Sequence, residues 1–163
     1  MNQTHIHLLI THLPIFGSIL GGLVMAYALF SRSEHTKISA YMIFILSAMG
    51  AGVAYLTGEA AEESVENLQG IMESGIEQHE DFAIYALVSL ITLGVVSLLG
   101  LFLTFKKSNL TRAIAKLTLI ISLVSFGLVA YTGFLGGKIR HTEVSAQTNE
   151  GLQHNESEEG EED

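Results

Sequence analysis

The chain has 163 residues, no cysteine and a formal charge of −9, yet its mean hydropathy is +0.41 and 48% of its residues are hydrophobic. Four stretches without Asp, Glu, Lys or Arg, residues 8–30, 38–57, 82–105 and 117–137, make up more than half of it, and each reaches the roughly 20 residues that a helix needs to cross about 30 Å of hydrocarbon. This excludes a soluble enzyme, a nucleic-acid binder and a disordered chain, and the lack of cysteine removes disulfides, thiolate metal sites and thiol nucleophiles.

Residues 1–7 carry no Lys or Arg, and the apolar stretch that follows is too long for the core of a signal peptide, so the first span is expected to be retained. Arg32 and Lys37 separate it from the second span. Residues 58–81 then carry Val65, Leu68, Met72 and Ile76 at helical spacing among Glu62, Glu63, Glu66, Glu73 and Glu77, the pattern of an amphipathic outer segment that caps the bundle. Lys106, Lys107, Arg112 and Lys116 surround the turn between the third and fourth spans, and an acidic tail over 147–163 reads as disordered. Six of the eight basic residues fall between spans one and two or three and four. Short basic loops stay on the cytoplasmic side, so both termini and the long loop are predicted to be extracytoplasmic in a bacterial inner membrane. The expected fold is all-α: an integral membrane four-helix bundle, up-down-up-down, over residues 1–146 and embedded in the lipid bilayer.

Small residues recur in the spans. Gly17 with Gly21, and Gly133 with Gly137, have small-xxx-small spacing, which favours packing within the bundle over a homodimer. Gly52–Gly58 (Gly-Val-Ala-Tyr-Leu-Thr-Gly) resembles Gly127–Gly133 (Gly-Leu-Val-Ala-Tyr-Thr-Gly). Two repeated hairpins and convergent use of an interfacial Tyr both account for this.

Six of the seven histidines, His5, His7, His12, His79, His141 and His154, fall on the predicted outer side. His12 lies about one turn inside the first span, just before Pro14, where an ionisable group is expected to face the bundle or a wet cavity. His79 opens the third span and His141 closes the fourth. His5 shares a seven-residue stripe with His12 but stands about 10 Å away along a helix, and His7 is read as a surface residue. Imidazoles on different helices can supply the axial ligands of a haem b, with Lys138 and Arg140 beside the propionates. A non-haem Fe, Cu, Mn or Zn centre would add Glu59, Glu63, Glu80, Glu143 or His5. No Glu-x-x-His pair stands in the spans, which ranks that centre second.

The combination of His12-Leu13-Pro14-Ile15, His79 at the head of the third span and Gly136-Gly137-Lys138-Ile139-Arg140-His141 resembles a bacterial four-helix membrane domain of unknown function with an N-terminal His-x-Pro motif, a type also found ahead of planctomycete-type cytochrome c modules. The likeness covers residues 5–141. It departs from that pattern at Thr4-His5-Ile6-His7 and at Thr142-Glu143, and it implies a membrane protein linked to redox chemistry through cytochromes. The leading expectation is therefore a small electron-transfer protein, rather than an enzyme with its own turnover, that binds haem b through His12 with His79 or His141 and meets a cytochrome or other redox partner on the extracytoplasmic side. The rivals are an ion transporter with a mouth at His12 and Glu59, and a structural subunit of a larger complex. The transporter suffers from spans two to four having no ionisable interior residue, so that no path of polar side chains crosses the membrane.

Overall fold

The computed structural model describes residues 3–63 and 73–140. They form α1 (Gln3–Ile10), α2 (His12–Ser31), α3 (Glu34–Glu63), α4 (Glu73–Phe105) and α5 (Thr111–Arg140). Four helical units are long and apolar enough to cross a membrane: His5–Ser31, Glu34–Glu63, Glu73–Phe105 and Thr111–Ile139. The first is α1 and α2 joined across Thr11. The interruption follows from Pro14, which lacks an N–H and whose ring crowds the carbonyl of Ile10 four residues back. Ser47 of α3 ties the segment down, donating its hydroxyl to the Pro14 carbonyl at 3.3 Å.

Both tight turns are built in the same way. Arg32 and Lys107 adopt left-handed φ of 56° and 52°, and the amide of the next residue reaches back to a carbonyl of the last helical turn, Ser33 to Ala28 at 3.2 Å and Ser108 to Leu103 at 3.1 Å. These bonds satisfy carbonyls that the helix ends leave open. Ser33 then caps α3 by accepting the Thr36 amide at 3.2 Å.

The helices meet through small residues. Gly17 and Gly21 of α2 lie against Ser47 and Phe44 of α3, Gly94 and Gly100 of α4 against Ala48 and Tyr41 of α3, and Gly22 of α2 against Ser122 of α5. Ser89 of α4 and Ser125 of α5 share a 2.7 Å hydrogen bond. Residue numbers rise on one side of each seam as they fall on the other, so neighbours are antiparallel. The ring closes where α2 packs on α5, which leaves α2 diagonal to α4. The composition of this bundle is inverted relative to a water-soluble protein: Ser18, Ser47, Ser97, Ser122, Ser125 and Thr118 are fully buried, while Phe30 and Leu56 are 88% and 80% exposed. Hydrocarbon supplies no force that drives Leu inward, so close contact of small residues and hydroxyls holds the helices together.

The two hairpins repeat each other. The buried positions of α2 recur 72 positions later in α4, so that Pro14, Ser18, Gly21, Gly22, Met25 and Ala28 correspond to Ala86, Leu90, Leu93, Gly94, Ser97 and Gly100, all buried. In α3 and α5 the shift is 78, and the Gly17 contact with Ser47 accordingly matches the bond of Ser89 with Ser125. The lettered likeness of 52–58 to 127–133 implies a shift of 75 and is thus three residues out of register with the packing. Residues 58–63 continue α3, residues 73–81 open α4 with Ile76 buried, and Val65, Leu68 and Met72 lie outside the described residues.

A methyl on Gly94 would stand 2.6 Å from Ala48 Cβ, whereas one on Gly127 would meet nothing within 4 Å. Gly94→Ala is expected to destabilise the protein by about 1–3 kcal/mol, because only separation of α3 from α4 relieves the overlap. Gly127→Ala is expected to stabilise it by about 0.5–1 kcal/mol through the helix preference of Ala. Denaturant titration of both variants in detergent micelles measures the opposite signs.

Candidate functional site

The inner stripe of the first span runs Ala28, Gly21, Pro14 at seven-residue intervals, and two turns before Pro14 it reaches His7. Seven residues are close to two helical turns, so His7 faces the bundle with the small residues. His7 is half-buried, its Nδ1 lies 2.8 Å from the Ala54 carbonyl of α3, and Thr57 Oγ1 stands 3.3 Å from the same nitrogen. A carbonyl oxygen only accepts, so Nδ1 carries the proton and the neutral ring presents the Nε2 lone pair.

His79 repeats this arrangement in the second hairpin. It is half-buried and its Nδ1 donates to the Thr132 carbonyl of α5 at 3.0 Å. The ring lies against Gly136, where a methyl would stand 3.0 Å from Cε1. His7 and His79 are 72 positions apart, and their acceptors Ala54 and Thr132 are 78 apart, the same shifts that relate the rest of the hairpins. The two imidazoles belong to diagonal units of the bundle and are close enough to interact electrostatically. Anchoring Nδ1–H on a backbone carbonyl fixes ring orientation and tautomer, as is usual for histidines that bind metal through Nε2.

The other predicted site residues are placed differently. His12, expected to face the bundle, is exposed; its Nδ1 bonds to the Leu8 carbonyl at 2.9 Å and its ring stacks on Phe16 at 6.3 Å. It belongs to the outer stripe with His5, also exposed, and with Leu9 and Phe16, 70% and 55% exposed. The polar demand of an imidazole at that depth is met by its own helix rather than by the interior. Glu59, Glu63, Glu80 and Asp81 are exposed. Lys138 is exposed with its ammonium 4.8 Å above the Phe134 ring, and Arg140 closes α5. Tyr55, Tyr85 and Tyr131 are exposed as interface anchors would be. His141, Glu143 and His154 lie outside the described residues. Among the described residues no three His, Asp or Glu side chains converge on a metal position.

Sequence reasoning passed over His7, although a signal for it existed: it continues backward the stripe of Ala28, Gly21 and Pro14. No known protein family, curated protein or solved structure matches the chain.

The geometry predicts that neutral His7 and His79 are both protonated on Nδ1, the opposite of the Nε2–H form that a free histidine side chain prefers. Nitrogen-15 solid-state NMR of the protein in bilayers, with His7→Gln and His79→Gln for assignment, reads the tautomer. Nε2–H signals from both residues would contradict the arrangement.

Proposed function

We propose that the protein is a small multi-pass membrane redox protein that holds a haem b between His7 and His79. The observation that carries this reading is the pairing of two imidazoles on diagonal helical units, each tied through Nδ1 to the second helix of its own hairpin and each with Nε2 available. Haem iron takes two axial nitrogens from protein, whereas a non-haem centre takes three or more ligands, and no three donors converge among the described residues. The donor set therefore fits haem better than a bare Fe, Cu, Mn or Zn ion.

In this reading His7 and His79 would be the axial ligands. Ala54 and Thr132 orient them through their carbonyls, and Gly58 and Gly136 leave the rings room that a side chain would occupy. Lys138 and Arg140, in the last turn of α5 at the same end, supply cationic groups for propionates. Bound haem supplies one-electron chemistry, and the Leu-rich bundle excludes water around it. The four units would cross the bilayer up-down-up-down, and basic residues at the two tight turns favour a cytoplasmic location for that end. The histidine end then faces the extracytoplasmic side of a bacterial inner membrane, where a cytochrome would exchange electrons with it.

The test is the dithionite-reduced minus oxidised spectrum of protein purified from haem-replete cells, with metal analysis of the same sample. Sharp α and Soret bands are expected. His7→Ala and His79→Ala should each abolish them, His12→Ala and His5→Ala should retain them, and Gly136→Ala, by turning His79, should weaken haem binding about 10–100-fold. A featureless spectrum that survives haem titration would overturn the proposal, and stoichiometric iron, copper, manganese or zinc in that sample would replace it with a metal site.

A further inference from the structure

The repeat that relates the hairpins breaks at the end of the bundle that carries the two tight turns. There Tyr41, Ser97 and Thr118 stand where the other hairpin has Leu119, Met25 and Ala40, and all three are fully buried. The Tyr41 phenol lies across Gly100 of α4, and Ser97 is one turn further along the same α4 face. Neither the Tyr41 hydroxyl nor the Ser97 hydroxyl has a hydrogen-bond partner among the described residues. Thr118 stands beside the phenol on α5 and can only accept from it, because its own proton is turned to the Ile114 carbonyl at 2.8 Å.

A Ser97 hydroxyl with no partner and a Tyr41 phenol with none but the Thr118 lone pairs are unfavourable inside a bundle, and nothing in the packing requires them: Phe and Ala would fill the same space. A water molecule satisfies both, and a buried water needs two to four polar partners, which these three oxygens provide. The route to solvent is also polar. Lys37 lies one turn from Tyr41 toward the turn end, its side chain 7% exposed and its ammonium 2.7 Å from the 56% exposed Glu34 carboxylate. Thr104, one turn beyond Gly100 on α4, is buried on the same path.

We propose that Tyr41, Ser97 and Thr118 bind internal water, reached from the turn end past Lys37, and that this water gives protons access to the middle of the bundle. Each oxygen passes one proton onward and receives one from its neighbour, so no oxidant or reductant is needed. A charge-free interior is thus no barrier here, since buried hydroxyls replace the ionisable side chains that the spans lack. The site shares no residue with the histidine pair and is independent of haem.

The experiment is water-edited solid-state NMR of the full-length protein in bilayers, which times magnetisation transfer from mobile water to each carbon. Tyr41 and Ser97 should build up as fast as exposed His35 at the turn end, and in the Tyr41→Phe/Ser97→Ala double variant Thr118 should slow to the rate of buried Leu90 and Met25. Build-up of Tyr41 and Ser97 at the slow rate of Leu90 and Met25 would overturn the proposal. Thermal unfolding of Ser97→Ala gives a second sign. Loss of a bound water's partner lowers the midpoint, whereas a dry core relieved of an unpaired hydroxyl raises it or leaves it unchanged, which would also count against the site. Haem content enters neither readout.

Discussion

In hydrocarbon every backbone donor and acceptor must be paired within the protein, and apolar side chains gain nothing by leaving lipid for the interior. The rest of this structure depends on that constraint. Four long helical units satisfy the backbone, but they can be held together only by contacts that lipid cannot make. Hence the seams are built from Gly17 on Ser47, Gly21 on Phe44 and Gly94 on Ala48, while large side chains such as Leu9, Leu23, Phe30 and Leu56 face outward. The same rule governs the polar side chains. Ser18, Thr104, Thr118, Ser122 and Thr132 each donate to a carbonyl three or four residues back in their own helix. Ser47, the Ser89–Ser125 pair, His7 and His79 instead bond to a different helix, and the two histidine rings bridge the helices of a hairpin as well as filling space.

The spans and their number were legible because length and absence of charge are properties of composition, insensitive to which way a helix is turned. Which side each histidine faces was not, because it depends on helical phase. His12 and His7 are five residues apart, which on a helix sets them on different sides, and depth in the membrane says nothing about side. Proximity to a proline makes His12 conspicuous, yet Pro14 itself faces inward and so directs its neighbour His12 outward. His79 stands out because it opens a span, but its role depends on Gly136 of the fourth span lying opposite, which no spacing reveals. Repetition of the hairpins was visible in the letters of 52–58 and 127–133, but the packing register differs by three residues. Tyr at the end of a span answers to the membrane interface, whereas the inward positions answer to the seam.

The repeat is kept at one end and broken at the other. At the histidine end both hairpins place an imidazole on the first helix and its acceptor carbonyl on the second. At the turn end only one side of the bundle carries Tyr41, Ser97 and Thr118, and the equivalents Leu119, Met25 and Ala40 are apolar. Similar backbone packing therefore supports two environments, one symmetric about the bundle axis and one polar on a single side. The difference arises from side chains alone, since the left-handed turn residues Arg32 and Lys107 and the small-residue seams are common to both halves.

The placement of the histidines also bears on how the bundle is held. Each tight turn joins helices within one hairpin, and the chain over residues 64–72 joins the two hairpins at the histidine end. His7 belongs to the first hairpin and His79 to the second, on diagonal units that small-residue seams bring near each other only through α3 and α5. A ligand held by both would tie α1 to α4 directly, in addition to the chain connection and the side-by-side packing of the hairpins. Because such a ligand binds the assembled bundle and not the separated hairpins, its binding energy adds to the stability of the assembly by mass action, growing as RT ln(1 + [L]/Kd). For such a ligand, assembly of the two hairpins and occupation of the histidine pair would be one equilibrium. The carbonyls of Ala54 and Thr132 bear on it, because they hold both rings in place within each hairpin.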